Sequence, residues 1–142
     1  MADFVFNIAK GAFVEKFRDG AANGGILLLT AADTDAAMKD TDTITALLAT
    51  AANEATDASY ARKTGLTGTI TVDDTNDRVD VDLPDQTWAA LAVGAILDAV
   101  VFYEEAAGDG TRIPLTLHDF AVTPDGSDVT IQFNASGFAR AS

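Results

Sequence analysis

The run "RVDVDL" (78–83) constrains the fold of this chain more than any other stretch. Successive side chains of a strand point to opposite faces, so Val79, Val81 and Leu83 fall on one side and Arg78, Asp80 and Asp82 on the other. "GTITV" (68–72) precedes it with the same period and carries Ile70 and Val72 on its apolar side. The intervening "DDTND" is rich in residues that tolerate turn geometry. Together they predict a β-hairpin whose valines, Ile70 and Leu83 face inward and whose acids face water.

Short strand patterns separated by turn words continue around this hairpin. "SYARKTGL" (59–66) alternates before it, and Pro84 ends it because proline donates no ladder hydrogen bond. Trp88, the sole tryptophan, is the expected core anchor. Further strands are expected over 95–105, over 112–122 with Pro114 at an edge or bulge, and over 129–134. "GDG" (108–110) and "TPDGSD" (123–128) supply the turns.

The first third reads differently. Phe4, Phe6 and Ile8 alternate in a short strand or extended arm, and Phe13, Val14 and Phe17 share a helical face closed by Gly20. "ANGG" reads as a turn, followed by an apolar strand, Ile26–Thr30, buried on both faces. A turn of helix is expected in "TDAAMKD". A second helix follows, with Ile44, Leu47 and Leu48 on one face and Asp42 or Thr43 as N-cap. The small, polar run 51–59 reads as a loop.

The expected class is therefore mainly β (α+β): an antiparallel sandwich or small barrel in the C-terminal two-thirds, with one or two short helices in the N-terminal third. At 142 residues the chain is one domain by size. Residues 1–10 form a candidate arm, 11–52 an α/β part, 53–59 a loop and 60–142 the antiparallel β part.

Composition removes several function classes. With no cysteine there are no disulfides, thiolate sites or cysteine nucleophiles. A net charge of −13 and a pI near 4.1 oppose direct contact with nucleic acid or anionic membranes. No apolar run approaches the roughly 20 residues of a membrane span, and "MADFVFNIAKG" lacks the basic start of a secretory signal.

Six aspartates, Asp73, Asp74, Asp77, Asp80, Asp82 and Asp85, crowd the hairpin. No register fits a twelve-residue calcium loop: starting from Asp73, position six is Arg78 and position twelve is Pro84. A looser Ca²⁺ site at Asp73, Asp74 and Asp77 is a minor alternative. Asp80 and Asp82 lie about 7 Å apart on one strand face, near the separation of glycosidase pairs, but nothing in the sequence marks a cleft beside them. His118 is the only histidine, and its neighbour Asp119 points to the opposite face. No P-loop, nucleophile elbow or dinucleotide fingerprint is present. The expectation is a chain without catalytic, metal or cofactor residues. Its contact residues would be Phe4, Phe6, Ile8, Phe13 and Phe17, which either fill the local core or enter a neighbouring subunit.

"MADFVFNIAKG", "DDTNDRVDVDLPDQTW" (73–88) and "IPLTLHDFAVTPDGSDVTIQFNASGFARAS" (113–142) resemble small virion structural proteins of tailed bacteriophages, of the actinobacterial-phage type. That resemblance implies a capsid decoration (cement) protein, made in the host bacterial cytoplasm and mounted on the virion exterior. Its partners would be the major capsid protein and copies of itself, as a trimer. The N-terminal apolar region would meet the capsid, and the acidic hairpin would face solvent. The alternative is a tail, baseplate or head-fibre component that binds host-surface glycans. An enzyme such as a cell-wall hydrolase would need a cleft near Asp80, Asp82 or Asp119.

Overall fold

The structure is a computed structural model that describes residues 3–8 and 21–141. It is mainly β, with 46% strand against 9% helix, and both helices lie in the N-terminal third as expected. Strands are β1 (Phe4–Val5), β2 (Ala22–Ala31), β3 (Asn53–Glu54), β4 (Lys63–Thr67), β5 (Thr69–Asp73) and β6 (Arg78–Asp82). They continue as β7 (Gln86–Trp88), β8 (Ile96–Glu104), β9 (Arg112–Val122), β10 (Val129–Ile131) and β11 (Ala139–Ala141). The helices whose bounds lie within the described residues are α1 (Asp35–Met38) and α2 (Ile44–Leu48).

Every strand pair is antiparallel, and the arrangement is sandwich-like. The main sheet runs β1-β9-β8-β2-β3, with β4 also paired to β2. A three-stranded sheet runs β11-β6-β5, and β7 pairs with β10. The N-terminal strand β2 thus sits in the middle of a sheet whose other long strands, β8 and β9, come from the C-terminal half. The two parts of the chain interleave in one core.

Burial explains that placement. Ile26, Leu27, Leu28 and Leu29 have no exposed surface, so β2 can only be a central strand covered on both faces. The "ANGG" stretch read as a turn is instead the start of β2. Gly25 lies opposite Phe102 of β8, and a Cβ there would stand 2.2 Å from the Phe102 ring. The glycine is needed for close packing and not for a bend.

Other elements follow their sequence signals. Thr43 caps α2, its Oγ1 accepting from the Ala46 N–H at 3.1 Å, and Ile44 and Leu47 are buried. Pro114 sits at a β-bulge: Val101 faces Thr116 and Phe102 faces Pro114, leaving Leu115 unpaired with β8. The Leu115 carbonyl accepts instead from the Phe6 N–H at 3.1 Å. Trp88 is 2% exposed, donates its indole N–H to the Ala61 carbonyl at 2.8 Å and stacks on Tyr60. The 51–59 loop is more ordered than its composition suggests. It contains β3, and Ala52 and Ala55 are buried in the core.

Candidate functional site

The hairpin has the predicted strands, but burial departs from the expectation at Asp80, Ile70 and Val72. β5 and β6 pair from Thr69↔Asp82 to Asp73↔Arg78, and β11 adds to the far side of β6 with Arg140 opposite Asp80. Asp80 is therefore only 7% exposed, not solvated. Its two carboxylate oxygens meet Arg140 Nε at 2.8 Å and Arg78 Nε at 3.1 Å. Ile70 and Val72, expected inside, are 39% and 65% exposed. Ile70 shares a face with the buried Val81, so the outer strand β5 is exposed on the face that is covered at β6, while β11 flanks Asp80 on the other face through Arg140. Val81 and Leu83 are buried as expected, because they reach the main body of the protein.

The remaining hairpin acids are occupied locally. Asp73 folds over the turn and accepts from the side-chain amide of Asn76 at 2.7 Å and from the Thr75 and Asn76 N–H groups, each at 3.2 Å. The Asn76 amide above all holds its carboxyl below the ordinary range, and Arg78 beside it acts in the same direction. Asp77 closes the turn with a φ of 50°. An open hollow of about 450 Å³ lies here, lined by Val72, Val79 and Ala141 together with Asp73, Asp74, Asp77 and Arg78. No group of three or more His, Cys, Asp or Glu side chains is placed to hold a metal ion among the described residues. Asp82 accepts from the Leu83 N–H at 2.9 Å, and burial pushes its carboxyl upward.

His118 and Asp119 do not face each other. His118 Nε2 lies 2.8 Å from Thr116 Oγ1, and its Nδ1 lies 3.7 Å from Asp3. Burial lowers its proton affinity, opposed by Asp3. Asp119 stands across the strand pair from Asp98, a residue that attracted no attention in the sequence. Asp98 is 1% exposed, and neither of its oxygens meets a donor among the described residues. Burial, then the charge of Asp119, pushes its carboxyl up to about 6. An acid set in the apolar run "AILDAVVF" was the available signal.

A second polar cluster ties strands of the main sheet to the loops beside them. Arg62 donates to both carboxylate oxygens of Glu54 at 2.6 Å and also bonds Asp109, which in turn accepts from Arg112 at 2.8 Å. Arg112 also donates to Glu104 at 2.7 Å. The Tyr60 hydroxyl donates to Glu54 at 2.8 Å and accepts from the Leu28 N–H at 3.1 Å. Burial keeps that phenol protonated far above its ordinary range. Each charge here is matched by a fixed partner, as in a structural clasp.

The N-terminal contact residues are placed as follows. Phe6 is fully buried, and Phe4 packs edge-on against it at 5.1 Å between ring centres. Phe4 pairs with Leu117 through β1, and Ile8 is half-buried against the core. Residues 4–6 thus pair with β9 and pack into this chain's own core, whereas Asn7 and Ile8, expected to continue the strand, are helical, the Asn7 N–H donating to the Lys39 carbonyl at 2.8 Å. Phe13 and Phe17, with the helix expected around them, lie outside the described residues. The exposed large hydrophobics among the described residues are Ile70, Val72 and Leu97, two of them neighbours on β5.

Comparison with protein-family models, with curated proteins and with solved structures gives no match.

Proposed function

We propose that this protein is a structural component of a tailed-phage virion, a decoration protein bound to the outer face of the major capsid lattice. The resemblance of its N-terminal, hairpin and C-terminal phrases to such proteins suggests the class. One structural observation carries the role: the exposed apolar surface is concentrated on the hairpin strand β5, while the neighbouring acids are engaged in turns and ion pairs. A surface of that kind works by contact. Asp80 is held between two guanidinium groups, and Asp73 is committed to its own turn.

With Phe4, Phe6 and Ile8 packed internally, the hairpin becomes the surface for contact with neighbours. The strong negative charge would keep copies soluble and apart until they reach the lattice. The glycan-binding alternative depends on aromatic rings displayed at loop tips, and no aromatic side chain is exposed among the described residues. Reconstruction of the particle that carries this chain tests the reading. Density on the capsid faces is expected; density confined to the tail would refute it.

A further inference from the structure

We propose that Asp98 and Asp119 form a proton-operated joint between β8 and β9. One proton shared by the two carboxyls closes it, and loss of that proton parts residues 119–122 of β9 from β8.

The two residues are direct cross-strand partners, so their side chains leave the sheet on the same face. An ionised carboxyl only accepts hydrogen bonds, and two such acceptors set together repel. Asp98 is almost wholly buried and finds no donor among the described residues for either oxygen. A proton between the two groups turns the repulsion into an O–H···O bond, as in other close carboxyl pairs. Asp98 is the member that holds it, because burial penalises its charge. Asp119 is exposed, and gives the proton a route to water.

The surroundings supply no replacement for that proton among the described residues. α1 contributes Asp35, a third acid, one of whose oxygens is also buried without a donor. β2 contributes Leu29, and beyond it Glu54 of β3 is already paired with Arg62. On β9 itself His118 points to the opposite face, towards Asp3, whose Oδ1 accepts from the Asp119 N–H at 2.8 Å. The amino-terminal charge favours an ionised Asp98, but burial and Asp119 outweigh it.

Ladder geometry makes this the place where the sheet can open. Between Asp98↔Asp119 and Ile96↔Val122, β9 uses three residues where β8 uses two, so the ladder is interrupted just beyond the pair. Leu97, on β8 within that interruption, is exposed. On the other side of the pair Ala99, Val100 and Val101 are fully buried in the centre of the sheet. Repulsion between two ionised carboxyls is therefore relieved most easily by parting the outer end of β9.

Amide exchange in the whole chain tests the joint, with rates corrected for the intrinsic effect of pH. Between about pH 5 and pH 8 protection of residues 119–122 should fall. The fall is up to about tenfold for each pH unit by which the closed pair binds its proton more tightly than the open one. Protection of residues 115–118 should stay level. The carboxyl carbon signals of Asp98 and Asp119 should move together through a common step near pH 6. Asp98→Asn replaces the shared proton with an amide donor and should remove the pH dependence of protection. Asp119→Asn, at an exposed position, should move the Asp98 step to lower pH and shrink the loss of protection. Independent titration of the two carboxyls would overturn the inference. So would a loss of protection spread evenly along β9, a pH dependence that survives Asp98→Asn, or an Asp98 step unchanged by Asp119→Asn.

Discussion

Replacing Asp98 by asparagine should stabilise the protein at neutral and alkaline pH. In the folded chain Asp98 sits opposite Asp119, 1% exposed and without a donor, with a carboxyl pushed up from 3.8 to about 6, first by burial and then by the charge of Asp119. A raised carboxyl means that the folded state binds the proton more tightly than the unfolded state does. Below about pH 4 the residue is protonated in both states and carries no penalty. As pH climbs through 4 to 6 the unfolded chain releases the proton first, and stability falls until the folded carboxyl also ionises. A rise from 3.8 to about 6, at 1.36 kcal/mol per pH unit, corresponds to about 3 kcal/mol as an upper value. The asparagine side chain does not titrate, has nearly the same shape, and offers an amide donor to the Asp119 carboxylate. Urea unfolding followed by the fluorescence of Trp88 would measure both proteins between about pH 4 and pH 8. The expected result is an advantage for Asp98→Asn that grows by up to about 3 kcal/mol across that range. Acids remote from Asp98 are common to both proteins and cancel in the difference. A difference that stays flat with pH, or that grows in favour of the wild type, would refute the account of Asp98 as a buried, unpaired acid.

Three further outcomes follow from the packing. Gly25→Ala should cost about 1–3 kcal/mol in urea unfolding, since its methyl would collide with the Phe102 ring in the middle of the main sheet. An unchanged midpoint would show that the ring has room to move. Tyr60→Phe should cost about 1–2 kcal/mol by leaving the Leu28 N–H without its acceptor and removing a donor to Glu54. Amide exchange at Leu28 should quicken, and protection equal to wild type would contradict the assignment. Arg62→Met removes the shared cation of Glu54 and Asp109, and about 2–4 kcal/mol should be lost at neutral pH, with part of it recovered in acid as Asp109 protonates. The direction follows from Asp109, which Arg62 first and Arg112 second hold below the ordinary range. A loss that is independent of pH would show that the clasp acts through packing alone.

Local periodicity made much of the architecture legible. The hairpin register, the Thr43-capped helix with Ile44 and Leu47 inside, the fully buried Ile26–Leu29 run, the bulge at Pro114 and the burial of Trp88 all follow from signals spanning a few residues. The features that were missed depend on distant partners. The glycines before Ile26 read as a turn because Phe102, the ring they accommodate, lies far along the chain. β3 and β11 are too short to announce themselves, and each exists because another strand was waiting to be paired.

The amino-acid sequence by itself determined that this is an antiparallel, mainly β domain whose hairpin has one apolar and one acidic face, because side-chain period and turn chemistry are properties of neighbouring residues. Only the tertiary structure decided how far along the sheet burial extends. Arg140, sixty positions beyond Asp80, docks beside it and encloses the acid, while the outer strand β5 leaves Ile70 and Val72 exposed on the same face that buries Val81. Burial is a relation between segments remote in the chain, and an alternating pattern does not carry that information.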